Sequence, residues 1–393
     1  MKYELLAPVG NFPMLEAAIK GGADAIYFGL KTFSMRATAN NFTLSQLNKL
    51  RRRCQQANIK NYLTLNTIIY EKELPKIEEI IKNIKNKVDA IICWDPAIIQ
   101  LCRKYNIPFH ISTQASISNS KTANFYKKLG AERGILAREL SLKQIKQLSK
   151  KTSLLVECFC HGALCVAISG RCFTSQFLFN KSANRGECLH PCRRAYKIED
   201  EEGNQLKLEN NRVMSAKDLC TLPFIEKMKK AGIKSFKIEG RNRSPEYVYT
   251  TCKIYKQALN KKLSKQEIKA GLKALEKVYH RGSSSGFYLS LPTSDDFSSS
   301  RTGNQTEKKQ YIGRIAHYWN TPKAAALLLH NNSLKIGDEI YIIGNTTFEK
   351  TTIKSMEKSN KQVKEAKKGD KIGIKLPKCR KGDEVYKILK IKK

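Results

Sequence analysis

The stretch from Glu4 to Gly29, ELLAPVGNFPMLEAAIKGGADAIYFG, decides the fold. Two short β-like runs, Glu4–Ala7 and Ala25–Gly29, flank a segment whose apolar residues recur at three and four positions until Gly21–Gly22 closes it. Strand, helix and strand in so short a span make a βαβ unit, which implies a parallel sheet. Working outward, further candidate strands are Tyr62–Asn66, Asp89–Cys93, Phe109–Ser112, Gly134–Ala137, Leu154–Cys158 and Ser235–Ile238, with amphipathic helical patterns between them. Eight such units predict an α/β fold, a (β/α)8 TIM-like barrel over residues 1–280. The competing arrangement, a doubly wound open sheet, lacks its Gly-x-Gly-x-x-Gly fingerprint after the first strand.

The seventh strand is followed by a Cys-rich insertion, residues 158–220. It contains a hairpin-like piece, YKIEDEEGNQLKLENN, and leads into a helix expected from about Ala216 to Ala231. Residues 281–309 are rich in Ser, Gly and charge and read as a linker or ordered loop. From residue 310 to 393, alternating segments such as YIGRIAHYW and DEIYIIG, separated by Gly-Asp and Lys-Gly turns, predict a small antiparallel β-barrel.

Seventy-two Lys+Arg against 35 Asp+Glu give a formal charge of +37. Such a field attracts polyanions and points to RNA or another nucleic acid as partner; the alternative is lysine filling solvated faces. The chain opens directly into a strand-like segment without the basic and apolar regions of a secretory signal, and no apolar run approaches 18 residues. The expectation is a cytoplasmic protein that neither spans nor needs a membrane.

Seven of the twelve cysteines lie between Glu157 and Cys220, and four of them read Cys165-x6-Cys172-x15-Cys188-x3-Cys192. A reducing compartment disfavours disulfides and leaves a metal centre or catalysis. Zinc commonly takes close Cys pairs, and only Cys188-x3-Cys192 resembles one. An iron–sulfur cluster tolerates irregular spacing, and Arg193-Arg194 would offset its negative charge. The pattern favours iron–sulfur, with zinc open and Cys220 an alternate fourth ligand. Cys54, Cys93, Cys102 and Cys252 read as small buried apolar residues.

In a (β/α)8 barrel the residues after each strand meet at one mouth, where the chemistry sits. Here they include Asn66, Asp95, Gln114, Arg138 with Glu139, His161, Glu239 and Arg241. Arg138 and Glu139 either hold a carboxylated ligand or form an internal ion pair, and Glu239 with Arg241 has the same two readings. His161 donates to substrate or is structural. Asn66, Asp95 and Gln114 read a base edge or cap the next helix, and Asp95-Pro96 has the form of an N-cap.

The motifs STQASISNS, ILARELS, CHGALCVAISGRC, ANRGECLHPCRRAY, SAKDLC and KIEGRNRSPEYV, together with the Glu4–Gly29 stretch, resemble the peptidase U32 family over nearly the whole chain. Length and tail resemble its tRNA-hydroxylation branch. The resemblance implies two activities. One is collagenase-like proteolysis. The other is oxygen-independent hydroxylation of RNA, a tRNA wobble uridine above all, with a [4Fe–4S] cluster and prephenate. A separate electron-donor protein is a further expected partner. The resemblance assigns Cys165, Cys172, Cys188 and Cys192 to the cluster, and matches Cys220 to a ligand of a quinone branch. Guanidinium forks suit a dicarboxylate such as prephenate, so among the mouth residues Arg138 and Arg241 are the candidates to bind it, with Gln114 and Asn66 as further cofactor contacts and His161, Glu239 and Asp95 as catalytic candidates. Against proteolysis, no His-Glu-x-x-His is present, and nothing in the sequence orients His161 for Cys160 or Cys165. An RNA-binding scaffold with a structural metal is the non-catalytic alternative.

Overall fold

In the computed structural model, which describes residues 3–37, 39–194, 199–204, 214–300 and 303–391, the opening stretch folds as its pattern requires. Strand β1 (Glu4–Pro8) leads into helix α1 (Phe12–Lys20) and strand β2 (Ala25–Gly29). The Asn11 side chain accepts the Met14 amide at 3.0 Å, and Pro13 sits in the first turn, where its missing N–H leaves nothing unpaired. β2 returns parallel to β1, with Leu6 opposite Ala25.

The unit repeats through α2 (Leu47–Gln56), β3 (Lys60–Thr64), α3 (Leu74–Ile84), β4 (Ala90–Cys93), α4 (Pro96–Lys104), β5 (Phe109–Ile111), α5 (Ser120–Lys128), β6 (Arg133–Ile135), α6 (Leu142–Ser149) and β7 (Leu155–Gly162). After the insertion, which carries the short helix α7 (Thr174–Phe179), come β8 (Asp218–Cys220), α8 (Ile225–Lys230) and β9 (Ser235–Ile238). β9 pairs in parallel with both β7 and β1, which closes an eight-stranded parallel barrel. Helices α9 (Pro245–Asn260) and α10 (Lys265–Leu275) follow, with α9 packed on α1 and β1.

Three expectations are corrected. The helix expected from Ala216 begins instead as β8, and α8 starts only at Ile225. The cause is β7, whose eight residues overrun the barrel; its free edge takes Leu219 and Cys220 in antiparallel register with Gly162 and His161. Residues 281–300 are part of the barrel body, not a linker. Arg281 is buried against Asp218 at 3.0 Å, β10 (Ser283–Ser284) pairs with β8, and the Tyr288 hydroxyl donates to the Phe159 carbonyl at 2.7 Å. The third correction concerns the C-terminal unit, which comprises β11 (Glu307–Trp319), β12 (Ala324–Leu329), β13 (Leu334–Lys335), β14 (Glu339–Gly344), β15 (Thr347–Thr352), β16 (Met356–Lys358), β17 (Lys361–Gln362), β18 (Glu365–Ala366), β19 (Lys371–Lys375) and β20 (Glu384–Lys390). It is antiparallel as expected, but its main sheet runs β15-β14-β20-β11-β12-β19-β16-β17 without pairing its two edges among the described residues. It is a sheet with its own core of Ile312, Leu327, Ile340, Ile342, Ile374 and Val385, rather than a closed barrel.

That unit is fixed to the barrel. Phe348 joins the main apolar core, its ring 5.3 Å from Tyr249, and Lys309 pairs with Glu246 at 3.0 Å. The hairpin-like piece of the insertion lies largely outside the described residues; residues 199–204 form a turn in which Asp200 accepts the Asn204 amide at 2.8 Å. No helix among the described residues is long and apolar enough to cross a membrane.

Candidate active site

The barrel interior is charged. Low in it, the guanidinium of Arg133 donates to Glu157 at 2.8 Å and to Glu4 at 3.0 Å, and Tyr62 donates to Glu4 at 2.9 Å. Lys237 reaches Glu157 from above at 3.3 Å. Burial would raise the Glu157 carboxyl, but Lys237 and Arg133 outweigh it and hold it at about 2. Glu157 stands between Val156 and Cys158, and Lys237 between Phe236 and Ile238, so the period of two turns both inward from apolar strands.

Above this layer is the mouth. A small cavity of about 50 Å³ is lined by side chains from the ends of six strands and the loops beyond them. Arg36, from the loop after β2, pairs with Glu239 at 2.9 Å. Arg241 donates to Ser34 at 2.6 Å and to Thr64 at 3.0 Å. Arg138 donates to the Ala163 carbonyl at 2.8 Å and lies 3.8 Å over the Phe159 ring, while its buried Nε has no hydrogen-bond partner. Gly29 is required here: a Cβ would stand 2.5 Å from the Arg241 guanidinium and 2.4 Å from the Ser34 hydroxyl. Three guanidinium groups, those of Arg36, Arg138 and Arg241, share the mouth with one carboxylate, Glu239, so the pocket is net cationic. Burial favours a neutral Glu239, yet Arg36, Arg138, Arg243 and Arg241 hold it at about 2. Burial lowers Arg241 to about 10 and lowers Arg138 as well. An anion bound here would recover the charge compensation these groups lack.

The insertion forms the rim. Gly186 docks it on the β2 loop: its carbonyl accepts the Ala37 amide at 3.0 Å, and a Cβ there would lie 2.1 Å from the Ser34 carbonyl. Arg185 binds Glu73 at 3.0 Å, and Gln114 donates to the Ser169 carbonyl at 3.0 Å. Cys165 lines the mouth cavity beside Arg36 and Arg138. Cys188 lines an adjoining hollow of about 410 Å³ on the other side of Arg241. Cys192 is raised by burial, and the Cys165 and Cys188 thiols add to the shift, so each of those two sulfurs lies within electrostatic reach of Cys192. Cys172 contacts the Thr174 hydroxyl at 3.1 Å. All four are free and half-buried. In donor type, charge surroundings and position they suit a thiolate-held group, but among the described residues no three Cys, His, Asp or Glu side chains are gathered as a bound metal would hold them. Cys220 belongs elsewhere: it is buried on β8, 3.8 Å from the Tyr255 hydroxyl and near Cys160.

Of the residues predicted from sequence, Asn66, Gln114, Arg138, Glu239 and Arg241 meet in the mouth. His161 and Asp95 do not line it. The His161 ring faces Tyr255 at 3.3 Å, and burial holds it at about 4. The Asp95 carboxylate caps α4 through the Ala97 amide at 2.9 Å. Glu139 is exposed and also outside the cavity. Sequence reasoning missed Tyr27, Arg36 and Lys237. A polar residue inside an apolar strand signals Lys237; Arg36 lies in a loop whose path no local pattern announces.

Residues 10–297 match the family described as "Peptidase family U32". The chain belongs to the peptidase U32 family. It is 41% identical to an uncharacterized protease of Methanocaldococcus jannaschii and 38% identical to a collagenase of Porphyromonas gingivalis; each match covers 98% of this chain and 97% of the relative. It is 33% identical to tRNA hydroxylation protein P1 of Bacillus subtilis, across 87% of this chain and 84% of that protein. U32 relatives of similar length thus carry both proteolytic and RNA-modifying names.

Proposed function

We propose that this U32 member is an RNA-modifying enzyme that hydroxylates an unpaired tRNA nucleotide, the wobble uridine in the first instance. The observation that carries the reading is the guanidinium-lined mouth with Cys165 at its wall. A pocket so built suits an anionic ligand beside a thiolate centre, and it offers no nucleophile and base in contact. The candidate histidine, His161, is bonded to Tyr255 rather than to a cysteine or serine, which disfavours the proteolytic reading despite the collagenase name among the relatives.

Prephenate, a dicarboxylate, is the proposed small ligand. Arg138, with a donor to spare, takes one carboxylate. Arg241 separates the small mouth cavity from the 410 Å³ hollow, so a ligand larger than a carboxylate extends past it. Glu239 orients Arg36 and Arg138 and keeps the pocket from excess positive charge. Cys165, Cys188 and Cys192, with Cys172 as fourth ligand, would hold a [4Fe–4S] cluster, which would supply electron transfer or organise the loop. The target base must leave its stack to reach such a recess. The test is nucleoside mass spectrometry of tRNA from cells with and without the gene, beside digestion of denatured collagen by pure protein. Loss of a hydroxylated uridine supports the proposal; unchanged tRNA with cleaved collagen overturns it.

A further inference from the structure

Helix α7 is inside out. It buries Ser175, whose hydroxyl accepts the Leu189 amide at 3.0 Å, and it turns its large apolar residues to solvent. Phe177 is 86% exposed, Phe173 just before the helix is 66% exposed, and Leu178 is 52% exposed. Phe173 and Phe177 are four residues apart and share a face. Folding alone gives no reason to leave two phenyl rings in water, and a contiguous exposed apolar patch marks a binding surface.

The charge around the patch selects its partner. Residues 163–194 carry five basic side chains, Arg171, Lys181, Arg185, Arg193 and Arg194, against one acidic, Glu187. Arg194 already stacks on the Phe179 ring at 4.5 Å, and Arg171 lies 5.0 Å from the Trp94 ring. Flat aromatic faces interleaved with guanidinium groups suit unpaired bases on a phosphate chain, since every base offers a π face and every linkage a negative charge. The patch is also close to the mouth in the chain: Ser169 lines the cavity, and Arg171 donates to the Gln114 carbonyl at 3.3 Å.

We infer that Phe173 and Phe177 form a stacking platform for the unpaired bases that flank the nucleotide presented to the barrel mouth. The inference rests on the RNA reading above and specifies how the strand is gripped. Fluorescence anisotropy of the full chain with a labelled unstructured oligoribonucleotide, and with a duplex of the same length, tests it. Phe177→Ala is expected to weaken single-strand binding roughly 5- to 100-fold and leave duplex binding unchanged. Phe177→Trp restores affinity, and Phe177→Leu does not. The side chain is exposed, so circular-dichroism melting stays within a few degrees for every variant. Wild-type affinity in Phe177→Ala overturns the platform while leaving the RNA reading intact. Retained affinity in Phe177→Leu overturns stacking in favour of a plain apolar contact, such as one with a protein. If wild type binds neither RNA, the RNA reading falls and the platform falls with it.

Discussion

The Arg138 guanidinium is held by one carbonyl and one aromatic ring, and part of its donor capacity is unused. An arginine in that condition on a cavity wall is prepared for an anion. Arg138→Gln keeps a polar side chain but removes the charge and the fork. Charged hydrogen bonds of this kind set the expected loss at about tenfold to hundredfold in dicarboxylate affinity, read by isothermal titration calorimetry with prephenate. Unchanged affinity would remove Arg138 from the ligand site. Glu157 answers to stability instead. It is fully buried between Arg133 and Lys237, so Glu157→Gln leaves Lys237 without its carboxylate partner and Arg133 with Glu4 alone. Breaking a buried pair this way costs about 3–5 kcal/mol. A urea midpoint close to wild type would show that the barrel compensates for the lost charge.

At the scale of the element, β7 and its insertion govern the site. β7 overruns the barrel, and the overrun carries His161 into a buried place beside Tyr255. Burial lowers His161 from its ordinary 6.5 to about 4, so the folded protein keeps it neutral while the unfolded chain takes up a proton. The folded pKa is the lower one. Its contribution is therefore complete above pH 6.5 and is lost as pH falls toward 4, about 2 kcal/mol by pH 5. His161→Gln should flatten the dependence of unfolding free energy on pH between 7.5 and 5; an unaltered slope would assign the acid sensitivity to other groups. The rim of the insertion brings Cys165 and Cys188 each within electrostatic reach of Cys192, whereas Cys220 sits in the wall with Tyr255. Protein purified without oxygen is expected to be brown with about four irons per chain, to lose iron in Cys188→Ser and to keep it in Cys220→Ser. Colourless protein with one zinc would replace the cluster by a structural metal.

At the scale of the whole molecule, the barrel was legible because period-two and period-3.6 patterns alternate eight times. The cap at Asn11 and the capping role open to Asp95 were local and readable. The closure of β9 on β1 brings together residues more than 200 positions apart, and only the fold announces it. Arg36 escaped for the same reason, and β8 escaped because an overhanging strand edge outweighed the helical reading of residues 216–231. The open C-terminal sheet shows that alternation fixes strand character but not closure. What the sequence did carry at full length is its charge of +37, and that charge makes a prediction the fold cannot make. Phosphates neutralised by lysine and arginine release counterions, so RNA affinity falls with salt in proportion to the phosphates contacted. With roughly six contacts the loss between 50 and 200 mM salt is about a thousandfold. Substituting the phenyl rings of α7 should lower affinity at every salt concentration by one factor, because stacking releases no ions, so the two plots of log affinity against log salt should run parallel. A flat wild-type plot would mean that the excess lysine serves solvation and that RNA is not the partner.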